Sequence, residues 1–168
     1  MLAHLDSVKK FYSPTKGKMD LKRVIADIIQ YLDEEPKMTY KIVIGTDSHP
    51  QSEKVNFITA VVIQRVGRGG RYFWQKINKE KIKSLRQRIY EEVNLSLIMA
   101  QKMIQELKNY ASEESLFSRG LEIHVDIGEN GETKNMIKEV VGIVRGNGFN
   151  VKTKPEAFGA SNVADRHS

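Results

Sequence analysis

Asp47, Glu92 and Asp126 are acidic residues in places where a carboxylate is expensive unless it has work to do. Asp47 comes just after the β-branched run Tyr40-Lys-Ile-Val-Ile-Gly45, within the turn-like Thr46-Asp47-Ser48-His49-Pro50. Asp126 lies near the end of Leu121-Glu-Ile-His-Val-Asp126-Ile127, ahead of Gly128. Both runs read as strands, and on open α/β sheets chemistry gathers at the carboxyl ends of strands. If these two strands are neighbours, their carboxylates point into one crevice. Either aspartate alone is more commonly a loop or helix cap, so it is the combination that points to a site.

The acidic pair Glu91-Glu92 falls in a segment, Lys81 to Leu107, whose apolar residues recur with helical period. With Ile89 at zero and about 100° per residue, Leu85, Val93, Ala100 and Ile104 lie within about 60° of it. Glu92 falls at about −60°, on the border of that stripe, and Glu91 at about 200°, on the opposite side. A carboxylate bordering a buried face is costly unless paired or bound to metal. A fourth acid, Asp165, stands four residues past the capping candidate Ser161; alone it reads as a surface residue paired with Arg166. Together the four suit hard divalent cations, Mg²⁺ or Mn²⁺, which prefer oxygen ligands. Two such ions about 4 Å apart clamp the attacking and leaving oxygens of a phosphodiester. The chain has no cysteine and its four histidines are scattered, which argues against zinc.

The elements that must position these residues follow from periodicity. Residues 11–18, with Pro14 and Gly17, read as irregular chain. Asp20 is a candidate cap for a helix to about Asp33, with Leu21, Val24, Ile25, Ile28, Ile29 and Leu32 on one face. Strands are expected at 40–45, 55–66, 71–77, 121–127 and 149–154. Gly69 and Gly70 are expected to supply positive φ in the turn between the second and third. Helices are expected over 81–107 and 133–145, with a short last helix containing Asp165. Two hairpins followed by βαβ crossovers predict a mixed five-stranded sheet flanked by helices, the element order of the ribonuclease H fold. The expected organisation is one domain over 1–168, with an N-terminal helical extension (1–38) on a core (39–168).

At 168 residues the chain is long enough to bury a core without covalent staples. No signal-peptide pattern opens it and no apolar run approaches a membrane span, so a soluble, cytoplasmic protein is expected. The net charge is +6, but nine cations oppose only Glu80 between Arg65 and Arg88, a local +8 that leaves −2 elsewhere. Arg65, Arg68, Arg71, Lys76, Lys79, Lys83 and Arg86 in this stretch are candidate contacts to a nucleic-acid backbone; a solvated hairpin and helix face is the plain alternative.

These residues resemble a known family. Phe11-Tyr-Ser-Pro14, Ile44-Gly45-Thr46-Asp47-Ser48, Ser84 through Glu92, His124-Val-Asp126-Ile-Gly128, Gly131-Glu-Thr133 and Ala160 through Arg166 are similar to the YkuK-type family, classed as ribonuclease H-like. The likeness spans almost the whole chain, with His49 standing where that family is expected to have glutamine. It implies a ribonuclease H fold with Asp47 on the first core strand, Glu92 on the first core helix, Asp126 on the fourth strand and Asp165 on the last helix. In ribonuclease H enzymes these positions bind two metal ions.

Other readings of the same residues are weaker. As a calcium loop, the stretch from Asp126 lacks the bidentate glutamate, since Ile137 stands at position twelve. As a phosphate loop, Asp126-Ile-Gly128 is similar to the Asp-x-Gly of actin-like ATPases, which need two such domains; Thr133 near a helix N-terminus could still hold a phosphate. His124 reads as a hydrogen-bonded interior or supporting residue. His49 and His167, each two residues from a proposed metal ligand, are auxiliary candidates for proton transfer. Of Tyr72, Phe73 and Trp74, alternation puts Phe73 on the opposite face from the other two, so at least one is core. The expected function is metal-dependent hydrolysis of nucleic acid. The alternatives are a non-catalytic nucleic-acid-binding module of the same fold and a nucleotide-binding regulator.

Overall fold

A computed structural model of the chain describes residues 10–110 and 120–157; Asp165, His167 and the helix expected after Ser161 lie outside the described residues. The frame is a meander of three long strands, β3 (Tyr40–Pro50), β4 (Lys54–Arg65) and β5 (Gly70–Glu80), paired antiparallel along their lengths. Before it come β1 (Phe11–Ser13), β2 (Gly17–Met19) and α1 (Leu21–Glu34). After it come α2 (Leu85–Leu107), β6 (Leu121–His124), a 3-10 turn (Lys134–Met136), α3 (Ile137–Gly146) and β7 (Asn150–Lys152). The sheet order is β2-β1-β5-β4-β3-β6-β7, with β3–β6 and β6–β7 parallel.

Among the described residues the sheet therefore has seven strands, where five are expected from the sequence. The stretch 11–18, expected to be irregular, forms the hairpin β1–β2 instead. Ser13 Oγ accepts from the backbone N–H of Thr15 and Lys16 (3.3 and 3.2 Å), and Gly17 supplies φ 68°. Phe11 and Met19, opposite each other in the register, are buried in the core. Three residues are too few to display a two-residue period, which is why the hairpin could not be read from the pattern.

β3 runs on through Pro50 instead of stopping at Gly45, because its partner β4 keeps pairing as far as Pro50↔Val55. β6 is shorter than expected, ending at His124. In the β4–β5 turn the positive φ belongs to Gly67 (84°) and Gly69 (85°), not to Gly70. Gly70 opens β5, where a Cβ would lie 2.8 Å from the Ile63 carbonyl oxygen. α2 begins at Leu85, after Ser84 accepts from the Gln87 N–H (3.0 Å), rather than at Lys81. Asp20 caps α1 as expected, accepting from the Arg23 N–H (2.8 Å).

Alternation decides which side chains meet the helices. Ile42 and Ile44 of β3, Val61 and Ile63 of β4, Phe73 of β5 and Ile123 of β6 join one core with Ile28 of α1, Ile89, Val93 and Met103 of α2 and Val140 of α3. Further along β3 the same face carries Thr46 and Ser48. Thr46 Oγ1 lies 2.9 Å from both Thr59 Oγ1 and Ser96 Oγ of α2. Odd-numbered residues of β3, among them Asp47 and His49, face the other side. No described helix is long and apolar enough to cross a membrane.

Candidate active site

The crevice arises where β3 and β6 part. Their parallel ladder ends at Gly45↔His124. Beyond it the chain after β6 follows β7: Val125 N–H donates to Lys152 O (2.9 Å) and Lys154 N–H to Ile127 O (2.8 Å). Asp47 lies two residues past the last paired position on β3, and Asp126 two residues past the last paired position of β6. α2 crosses this end of the sheet and brings in Glu92, which is 7% exposed. Glu91 is partly exposed and ion-pairs with Lys79 of β5.

Ser48 ties the strand to the helix: its hydroxyl donates to Glu92 Oε1 at 2.5 Å, and its N–H donates to Asp47 Oδ1 at 3.0 Å. The Glu92 carboxyl is pushed up to about 8. Burial is the largest cause; the Ser48 hydrogen bonds pull the other way, and the charges of Asp47 and Asp126 raise it further. Both aspartates are thus within electrostatic reach of Glu92. Asp126 Oδ1 receives the Lys154 ammonium at 2.9 Å. His49 Nε2 is 3.6 Å from Asp47 Oδ2, and it is buried with no hydrogen-bond partner.

The donor set fits a hard divalent cation: carboxylate oxygens, no thiol, and a carboxyl whose affinity for protons is raised by burial first and by its anionic neighbours as well. The gathering is loose, since among the described residues no three His, Asp or Glu side chains close around one point tightly enough to hold an ion. Asp165 lies outside the described residues. His124 is buried and bonds Glu122 (3.0 Å), whose other oxygen takes Lys41 (3.1 Å). Burial holds the His124 imidazole below its ordinary value, with Glu122 opposing.

Lys154 was not anticipated. The one signal was Gly128: a Cβ there would sit 2.9 Å from Lys154 Cβ, so the glycine leaves the lysine its path to Asp126. Gly128 and Lys154 also line a cleft of about 520 Å³ with Asn130, Thr153 and Glu156.

The seven candidate backbone-binding cations do not form one surface, because β5 carries the two ends of that segment to opposite ends of the sheet. Arg65, Arg68 and Arg71 are at the end away from Asp47. Arg65 donates to Tyr31 O (2.7 Å) and Glu34 (3.1 Å) and lies 3.8 Å over the Tyr31 ring. Arg71 pairs with buried Asp27 (2.5 Å), and Arg68 is 3.9 Å from Glu35. Lys76, Lys79, Lys83 and Arg86 lie toward the other end; Arg86 pairs with Glu139 (2.8 Å), and Lys76 and Lys83 are exposed.

An antiparallel meander continued by parallel strands through helical crossovers, with acidic residues where the first and fourth core strands part, defines a ribonuclease H-like protein. The family model described as Ribonuclease H-like matches residues 23–168, and the chain belongs to that family, in its YkuK-type branch. It is 28% identical over 166 residues to the uncharacterized protein YkuK of Bacillus subtilis (strain 168), covering 93% of this chain and 95% of that protein. No solved structure matches it.

Proposed function

We propose that the protein is a divalent-metal-dependent nuclease that hydrolyses phosphodiester bonds of nucleic acid. The observation that carries this reading is the position of Asp47 and Asp126 just past the point where β3 and β6 separate, within electrostatic reach of buried Glu92. Membership of a ribonuclease H-like family supports a nucleic-acid-related role. Asp47, Glu92 and Asp126, with Asp165, would hold Mg²⁺ or Mn²⁺, two ions in all. When bound, such ions supply Lewis acidity that activates water and stabilises the leaving oxygen. The chain's own groups do the rest. Ser48 anchors Glu92 through its hydroxyl and Asp47 through its N–H, and Lys154 balances charge at Asp126 until substrate arrives.

The test is cleavage of labelled RNA, DNA and hybrid substrates with Mn²⁺. Asp47→Asn is expected to abolish turnover, and Glu92→Gln to reduce it at least tenfold more than Glu91→Gln does. Equal effects of the two glutamate changes would remove the basis of the reading. A non-catalytic nucleic-acid-binding module is favoured by one observation, the lysine already seated on Asp126. It expects binding that survives Asp47→Asn and no turnover from the unmodified protein.

A further inference from the structure

Residues paired across a sheet share a face. Lys18 stands opposite Tyr12, and Tyr12 opposite Trp74; Trp74 then stands opposite Ala60, and Ala60 opposite Gly45. One step further along the strands, Lys76 stands opposite Ile58, and Ile58 opposite Asp47. Tyr12, Tyr72, Trp74, Lys18 and Lys76 therefore lie on the face that carries Asp47, away from α2. The Tyr12 and Trp74 rings are stacked, with centroids 5.7 Å apart and planes at 27°, and Tyr72 lies 5.8 Å from Trp74. All three rings are only partly buried, while Lys18 and Lys76 are exposed. Strand spacing and rise put Trp74 about 12 Å from Asp47 along the sheet.

We propose that Tyr12, Tyr72 and Trp74 form a stacking shelf that holds unpaired bases of a nucleic-acid strand and feeds it toward Asp47. Aromatic rings receive bases through their π-faces whatever the sequence, and neighbouring cations follow the backbone. In a duplex those faces are already occupied by adjacent base pairs, so the shelf selects single strands or frayed ends. Lys18 and Lys76 flank the rings where phosphates of a stacked strand would run. The inference deepens the nuclease reading by naming the substrate class, and it rests on that reading for what happens at Asp47.

Trp74 is the chain's single tryptophan, so intrinsic fluorescence reports on the shelf directly. The full chain is titrated in EDTA, which prevents turnover, with a short oligothymidylate, an oligouridylate and a duplex of equal length. Quenching by the single strands, with much weaker binding of the duplex, is expected. By anisotropy of a labelled strand, Trp74→Ala and Tyr12→Ala should each weaken affinity about tenfold, with Trp74→Phe retaining most of it. Absent quenching, equal affinity for duplex, or unchanged affinity in both alanine variants overturns the shelf. If circular dichroism shows that an alanine variant is unfolded, Lys76→Glu at its exposed position decides: weakened single-strand binding supports the shelf, and unchanged binding overturns it. Shelf-dependent binding without Mn²⁺-dependent cleavage would defeat the nuclease reading alone; cleavage with no role for Trp74 or Tyr12 would defeat the shelf alone.

Discussion

Glu92 sits where water cannot solvate its charge and where two more carboxylates stand nearby, and the consequence for the metal-free protein has a definite sign. In the folded state it keeps its proton up to about 8, against an ordinary value of 4.5 in the unfolded chain. Between those values the folded state binds a proton that the unfolded state does not, so stability falls as pH rises through this window and levels off above it. The loss is on the order of a few kcal/mol. Glu92→Gln removes the titration, so in EDTA its Tm should vary less than wild type between pH 4.5 and 8 and exceed it at the alkaline end. Thermal melts across pH check this, and parallel curves for the two proteins would refute it. Glu92 was legible in the sequence because a helical wheel depends only on local spacing. Lys154 was not, since its approach to Asp126 depends on how the chain after β7 crosses Gly128.

Among the elements, α1 is tied to the sheet by a buried acid as well as by its apolar face. Asp27 on α1 is 3% exposed and accepts from Lys16, before β2, at 3.0 Å and from Arg71 of β5 at 2.5 Å. It thus joins helix, hairpin and meander, and Arg71 also lies 4.5 Å over the Tyr31 ring of α1. Asp27→Ala should destabilise the protein by about 1–2 kcal/mol in urea titration. This is below the usual cost of breaking a buried pair, because both cations can turn to solvent. A change within a few tenths would mean that packing alone holds α1. The helices and long strands could be read from the sequence because each repeats its period several times. The β1–β2 hairpin and the extension of β3 through Thr46-Asp47-Ser48-His49-Pro50 could not. Turn-prone residues there are kept extended by pairing with β4, a tertiary effect that outweighs local preference. Periodicity thus sets Asp47 at the end of a strand, the family resemblance sets it on the first core strand, and the structure has it inside β3.

At the scale of the whole molecule, the cationic segment divides into two groups with different work. Arg65 and Arg71 fasten α1 through Tyr31, Glu34 and Asp27, whereas Lys76 and Lys83 are exposed. Lys76→Ala and Lys83→Ala should each lower the slope of log affinity against log salt by about one, with little change in Tm. Arg65→Ala and Arg71→Ala should lower Tm and leave the slope nearly unchanged. Salt titrations of oligonucleotide binding beside thermal melts separate the groups, and a slope reduced equally by all four would contradict the division. Charge counted along the chain could not reveal this, because it depends on where β5 delivers its two ends. The sheet's own ends carry a last consequence. Its outermost strands, β2 and β7, each pair over only three residues, while the long ladders of β3, β4 and β5 lie inside. Among the described residues, strands that short offer little backbone for another chain's strand to pair with at those two edges.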